Sequence, residues 1–279
     1  MHVFRNYDNE MCPTVEEFQA YLPGFANFDV LAVPPIQENM SHLLRMKLNI
    51  SEELTASIIH DGELDIPRLI ELYGPDGILE NHVEQAHKRF AFSICALAAY
   101  ALVPANWRVS PSVVSMASQI GAWKNIIPTI LAETLMGLDL FKSRQSNVFS
   151  GSPRLLQLWL ADKLGLIAAP EANWLHLPGR MHQRGMLYPE MSTEDWYAFM
   201  NNLSPQEIVW RHRALEIPDM ALNSAGYERM VIVGLSSFTF YILGRILRQL
   251  GISQGLNRDG VEPFHLPVFT AQNLIGSMS

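Results

Sequence analysis

Cysteine is nearly absent: Cys12 and Cys95 are the only two in 279 residues. Two thiols make no disulfide framework in a chain this long, so the fold must rest on its core and a reducing compartment is expected. Cys95 lies inside an apolar run and reads as a small buried hydrophobe. Long hydrophobic runs are missing too. The two longest, Phe90–Val103 with 14 residues and Met230–Gly244 with 15, fall short of the ~20 that cross a bilayer. Both read as buried helices, and no membrane partner is expected. Residues 1–10 are polar and charged, without the apolar core of a signal peptide. The expected location is intracellular, in nucleus or cytoplasm.

Familiar chemical motifs are lacking as well. The chain has no P-loop, no G-x-G-x-x-G, no G-x-S-x-G, no C-x-x-C and no H-E-x-x-H. These spacings cradle phosphates, raise a nucleophile or hold zinc, so no cofactor and no metal are expected. Positive charge is scarce: 20 Lys and Arg stand against 28 Asp and Glu, a formal net charge of −8. Nucleic-acid binding draws on clustered cations that displace counterions from phosphates. That activity would require Arg144, Arg154, Arg180, Arg184, Arg211 and Arg213 to gather on one face. The short basic clusters His87–Arg89 and Arg211–Arg213 read as solvated helix faces.

What is present is apolar mass and helix punctuation. Apolar residues make up 48% and charged residues 17%, a globular balance that can offset the entropy of ordering. Thr14 and Glu17 have capping-box spacing and open a helix over 15–22. Ser51 and Asp65 are placed to cap helices over 52–59 and 66–73. A further helix is expected over 37–48. A long helix over 78–102 is amphipathic in its first half, apolar nearly all round in its second, and stopped by Pro104. Ser110–Pro111, Ser152–Pro153 and Ser204–Pro205 combine a capping hydroxyl with a proline suited to the first helical position. They open helices over 113–120, 154–164 and 206–215. Pro128 opens 129–141, and Ser192–Thr193 opens 194–201. A last long helix is expected over 227–250, closed by Gly251. Strand signals are confined to 30–33 and 168–177. The expected fold is all-α: one compact multi-helix domain over 1–279 with long buried central helices and at most one short β-hairpin. Its ordered core would span about 12–252, with a loop-like tail over 253–279.

Few residues suggest chemistry. Glu80, Glu84 and His87 resemble part of a helical di-iron pattern, but only one copy exists and an exposed helix face explains it. His60–Asp61–Gly62–Glu63 reads as a turn. His176, His182 and His212 share no close spacing. Glu133 is the most notable carboxylate, because it stands among Ile130, Leu131, Leu135 and Met136. A buried carboxylate must be paired or neutral. It is either held by a structural partner such as an arginine or set in a pocket with a perturbed pKa. Six tryptophans and 13 methionines supply large adaptable groups for a core or for an apolar pocket. Trp159 and Trp210 are the candidates to line such a pocket beside Glu133.

Four stretches carry a family resemblance: Cys12–Phe18; Arg89–Asp139, with Ile127–Thr134 inside it; Ser152–Leu160; and Trp196–Ser204 with Trp210 and Leu247–Gly251. In order and spacing they resemble the plant mobile domain group, found in retroelement-associated reading frames and domesticated host genes. The resemblance implies a helical domain, a plant source and a transposon-related origin. Members with an assigned role are nuclear and act in silencing with a phosphatase-like partner, so a phosphatase-like or chromatin-associated protein partner is implied. No catalytic residue can be carried over.

The leading expectation is therefore a domesticated, transposon-related domain that acts as a protein-interaction module. The alternative is a small-molecule enzyme of plant specialised metabolism. It would perform cyclase-, isomerase- or lyase-type acid–base chemistry on an apolar metabolite, with Glu133 as the acid–base group. Such chemistry needs positioning and one or two proton-transfer groups, and therefore no fixed motif.

Overall fold

The computed structural model describes residues 4–6, 9–22, 31–32, 39–74, 85–104, 106–165, 192–210, 229–235 and 238–242. The chain opens with a small antiparallel pair, β1 (Phe4–Asn6) and β2 (Asn9–Met11), that leads into helix α1 (Val15–Tyr21). The capping box forms as its spacing predicts. Thr14 Oγ1 accepts from the Glu17 amide at 3.1 Å, and the Thr14 amide donates to Glu17 Oε2 at 3.1 Å.

Helices α2 (Met40–Leu48), α3 (Glu52–Ser57) and α4 (Ile66–Tyr73) follow. Ser51 and Asp65 cap α3 and α4 through bonds to the amides of Leu54 and Arg68. Between α3 and α4 run β3 (Ile59–His60) and β4 (Glu63–Asp65), and β4 also pairs with β5 (Arg108–Val109). Asp61 (φ 53) and Gly62 (φ 80) make the tight turn of this hairpin, in the left-handed conformation that two-residue turns require. The turn reading of 60–63 therefore holds.

Helix α5 (Gln85–Ala96) continues into one π-helical turn over Leu97–Ala101, and the Leu102 amide reaches back to Leu97 O at 2.7 Å. The second half of this helix is not covered on all sides, as its hydropathy suggested. Phe92 and Tyr100 lie on the solvent side, 72% and 40% exposed. The buried stripe is Phe90, Ala91, Ile94, Leu97 and Ala98. An apolar sequence shows that a helix can be buried; its neighbours decide which side is. The expected first part of the helix, 78–84, lies outside the described residues and includes Glu80 and Glu84.

Helices α6 (Pro111–Gly121), α7 (Ile127–Lys142) and α8 (Pro153–Lys163) form the middle of the molecule. All three carry proline in the first turn. Ser152 Oγ accepts from the Leu155 amide, whereas the Ser110 hydroxyl makes no capping bond. The deepest helix is α7, with Ile127, Ile130, Leu131, Ala132, Glu133, Thr134 and Leu135 all buried. The α7–α8 loop returns against it very closely. A Cβ on Gly137 would stand 2.1 Å from Ser150 O, and one on Gly151 (φ 95) would stand 2.4 Å from Thr134 Cα. Only glycine permits that approach.

Helix α9 (Thr193–Asn202), capped by Ser192 and Asp195, is followed by a 3₁₀ turn over Pro205–Glu207. The helix expected over 206–215 does not form in its described part: the chain leaves the turn at Ile208 with extended geometry. Residues 211–215 lie outside the described residues. The segment expected as the last long helix instead contains a β-hairpin, β6 (Arg229–Val233) and β7 (Phe238–Ile242). Residues 230–233 and 238–241 are β-branched and aromatic-rich, a composition that favours a pleated surface. Gly234 penalises a helix through the middle by ~1 kcal/mol. Ile232 and Thr239 face each other across the hairpin and are buried, which gives the alternation of a strand rather than the 3.6 period of a helix.

The protein is thus mostly helical, as the sequence suggests. The all-α expectation with one hairpin is corrected by three small antiparallel sheets among the described residues. The helices exceed the sheets because local capping and proline signals agree with the apolar pattern over most of the chain. The stretch 168–177 and the tail 253–279 lie outside the described residues.

Candidate functional site

The most concentrated polar chemistry in the described chain is a buried cluster between α1 and α8. Glu17 and Tyr21 are four residues apart on α1, and Trp159 and Lys163 are four apart on α8, so each pair shares a helix face. Glu17 and Lys163 both have fully buried side chains and form an ion pair through Glu17 Oε1 and Lys163 Nζ. Glu17 Oε2 also accepts from Trp159 Nε1 at 2.8 Å. Lys163 Nζ donates a second bond to the backbone oxygen of Trp210 at 2.9 Å. Tyr21 OH donates to Asp162 Oδ2 at 3.3 Å. The Phe4 ring lies 5.3 Å from the Trp159 ring and closes the cluster from the β1 side.

Burial holds the Glu17 carboxyl above its ordinary range, against the opposing pull of Lys163, Trp159 and the Thr14 amide. Burial and the neighbouring Asp162 and Glu17 charges push the Tyr21 phenol far above its ordinary value of 10.0. Glu17 therefore serves the helix cap and the buried ion pair at once. Lys163 was legible in one respect: Leu156, Trp159, Leu160 and Lys163 fall on one helical stripe. A lysine that continues an apolar stripe demands an acidic partner. Which acid answers it was not legible, because the two residues are 146 positions apart.

The cluster is saturated rather than poised. Glu17 accepts from the Thr14 amide, the Trp159 indole and the Lys163 ammonium. Desolvating such a pair costs several kcal/mol per ion, which the mutual attraction only partly repays. Its structural effect is to fix α1, α8 and the segment at Trp210 in one register.

The three residues singled out from sequence are placed as follows. Trp159 is a core residue with 0% exposure, and its indole nitrogen is committed to Glu17. Trp210 is half-buried and contributes its carbonyl to Lys163. Both tryptophans thus meet at the Glu17–Lys163 pair. Glu133, 8% exposed, accepts from the Leu235 amide at 2.5 Å, at the end of β6. One partner there is thus a backbone amide. Among the described residues no group of three His, Cys, Asp or Glu could hold a metal ion. No helix of the described chain is long and apolar enough to cross a membrane. Arg144 and Arg154 flank the α7–α8 loop; the other four arginines of the nucleic-acid reading, and His176, His182 and His212, lie outside the described residues.

Two residues that sequence reasoning passed over stand out at the surface. Trp107 and Trp123 both have φ 59, in the left-handed region. Trp123 closes α6 at the position usually given to glycine. Its amide bonds Ile120 O at 2.9 Å, and the Lys124 amide bonds Gln119 O at 3.1 Å, the paired bonds of a Schellman motif. Trp107 leads into β5, and its carbonyl accepts from the Ile66 amide at 3.0 Å. A bulky L-residue in this conformation costs about 1–2 kcal/mol. Burial offsets little of that cost, because Trp107 is 54% and Trp123 74% exposed.

A family model described as a domain of unknown function (DUF7745) matches residues 1–259 of the chain. No curated protein and no solved structure matches it significantly.

Proposed function

The chain belongs to the DUF7745 family of domains of unknown function, and from that premise we propose that it is a protein-interaction module. One observation carries the reading: two tryptophans occupy strained left-handed positions and remain largely exposed. Their geometry works against stability, and local strain of this kind concentrates at functional positions. Tryptophan is also among the residues most enriched at the energetic centres of protein interfaces. The resemblance of four stretches to plant mobile domain proteins, whose assigned members act with a protein partner, supports the same reading and suggests a transposon-related origin.

The test separates an interaction role from a structural one. Trp107→Gly and Trp123→Gly each place the residue the backbone prefers. Their backbone hydrogen bonds remain possible, so the double variant is expected to keep the melting temperature or raise it slightly. Capture of a partner from plant extract by the tagged full chain is expected to fall at least about tenfold in the double variant, as for an interface centre. A marked fall in melting temperature would make the tryptophans structural. An unchanged capture profile would remove them from any interface.

A further inference from the structure

The α7–α8 loop presents a second surface of different chemistry. Leu140, Phe141 and Val148 are exposed there, by 37%, 54% and 50%. Along the chain Lys142 and Arg144 fall between Phe141 and Val148, Arg154 follows in the first turn of α8, and Asp139 is the one carboxylate between 139 and 154, in a chain whose formal net charge is −8. Lys142 and Arg144 have no ion-pair partner among the described residues. Arg154 lies over the Tyr100 ring, 5.0 Å from its centroid.

The loop is rigidly framed. The amides of Gln145 and Ser146 both reach Leu140 O, at 3.0 and 3.2 Å, and the Arg144 amide reaches Phe141 O at 3.1 Å. Ser146 and Val148 exchange two bonds: Ser146 Oγ donates to Val148 O at 2.7 Å, and the Val148 amide donates to Ser146 Oγ at 3.1 Å. Farther along, Gly137 and Gly151 seat the loop tightly against α7. A surface held this way loses little conformational entropy when it is covered.

We propose that this loop docks a short acidic protein segment with apolar anchors. Phe141 and Val148 would meet the anchors, and Lys142, Arg144 and Arg154 the carboxylates. Charge complementarity selects this occupant. At physiological salt the field reaches only about 8–10 Å, so a short peptide feels the local cations. A long polyanion such as a nucleic acid would extend past the patch over a chain whose formal net charge is −8. Its residues are different from Trp107 and Trp123, so the two sets of variants test this proposal and the preceding one independently.

The experiment is fluorescence anisotropy on the full chain with a labelled peptide of about twelve residues that alternates Glu with Phe and Leu, a length suited to one groove-sized contact. Comparison probes are a Glu/Ser peptide of equal charge, a Lys/Phe peptide, an oligo-dT of about twenty nucleotides and phosphatidylserine vesicles. The Glu/Phe/Leu peptide is expected to bind best, and to weaken as salt rises from about 50 to about 500 mM. Lys142→Glu with Arg144→Glu is expected to weaken it at least about tenfold, with the circular dichroism and melting temperature kept. The same reversal at Lys47 and Lys88 is expected to leave binding within about twofold. No binding, equal loss in both reversals, or equal binding of the Glu/Ser peptide would overturn the proposal. Tighter binding of oligo-dT or of vesicles would overturn it in favour of that ligand.

Discussion

Lys163 shows how much one side chain can depend on a distant one. Alone on α8 it would be a buried cation, a state that ordinarily forces deprotonation or unfolding. It is tolerable because Glu17 and the Trp210 carbonyl meet it. Removing the cation leaves the carboxylate buried without its counter-charge, so Lys163→Met is expected to cost roughly 3–5 kcal/mol in urea unfolding. Adding Glu17→Gln removes the stranded charge and keeps an acceptor for Trp159 Nε1 and the Thr14 amide. The double variant is expected to recover most of the loss, to within about 1–2 kcal/mol of the wild type. Costs that simply add would show that the two groups are not energetically coupled.

At the scale of elements, Glu133 joins α7 to the β6–β7 hairpin. A two-stranded ribbon is marginal by itself, and this one is held through Ile232, Thr239 and the bond from the Leu235 amide to Glu133. Glu133→Ala leaves that amide without its acceptor, a loss of about 1–3 kcal/mol. Faster hydrogen exchange is expected in β6 and β7, with α1 and α8 unaffected. Glu133→Gln keeps an oxygen at the same place and is expected to retain most of the protection. If both variants kept full protection, the hairpin would be held by packing alone. The sequence showed that Glu133 was a carboxylate in an apolar helix, and hence that it needed a partner. It did not show that one partner is the Leu235 backbone amide, since an amide carries no residue signature. The same limit applies to the hairpin: Met230–Gly244 reads as one apolar run, and only the pairing of Val231 with Phe240 and Val233 with Phe238 makes the period of two decisive.

The whole molecule should respond to alkali through groups that burial has made reluctant to ionise. The Cys95 thiol is pushed up to about 11 by burial, from 9.0. The Tyr73 phenol, whose hydroxyl donates to Leu48 O, is pushed up to about 12 by burial, from 10.0. Tyr21 is raised further. Each native pKa lies above its unfolded value, so the native state binds more protons than the unfolded state in that interval. Their contribution to stability is complete below pH 9.0 and is lost as pH rises through 11 and 12. Between pH ~8.5 and ~11 the unfolding free energy is expected to fall on the order of 1–3 kcal/mol. It should be read from denaturant midpoints, with the share of the tyrosinate absorbance at about 295 nm that belongs to Tyr21 and Tyr73 delayed until the chain unfolds. A flat stability profile across that range would mean that these groups are open to solvent in solution.

What the sequence determined by itself was whatever short-range chemistry decides. Thr14, Ser51, Asp65, Ser152 and Ser192 start helices because a side-chain oxygen can meet an amide two or three residues on. Pro111, Pro128 and Pro153 reinforce those starts because a first-turn proline lacks only an amide that would be unpaired anyway. What the tertiary structure alone decided was whatever joins residues far apart along the chain. It chose Glu17 to answer Lys163, turned Phe92 and Tyr100 outward, paired Arg229–Val233 with Phe238–Ile242 beside Glu133, and left Trp107 and Trp123 exposed in strained backbone. Those choices follow from packing and desolvation, which depend on every neighbour at once and leave no mark on a short stretch of sequence.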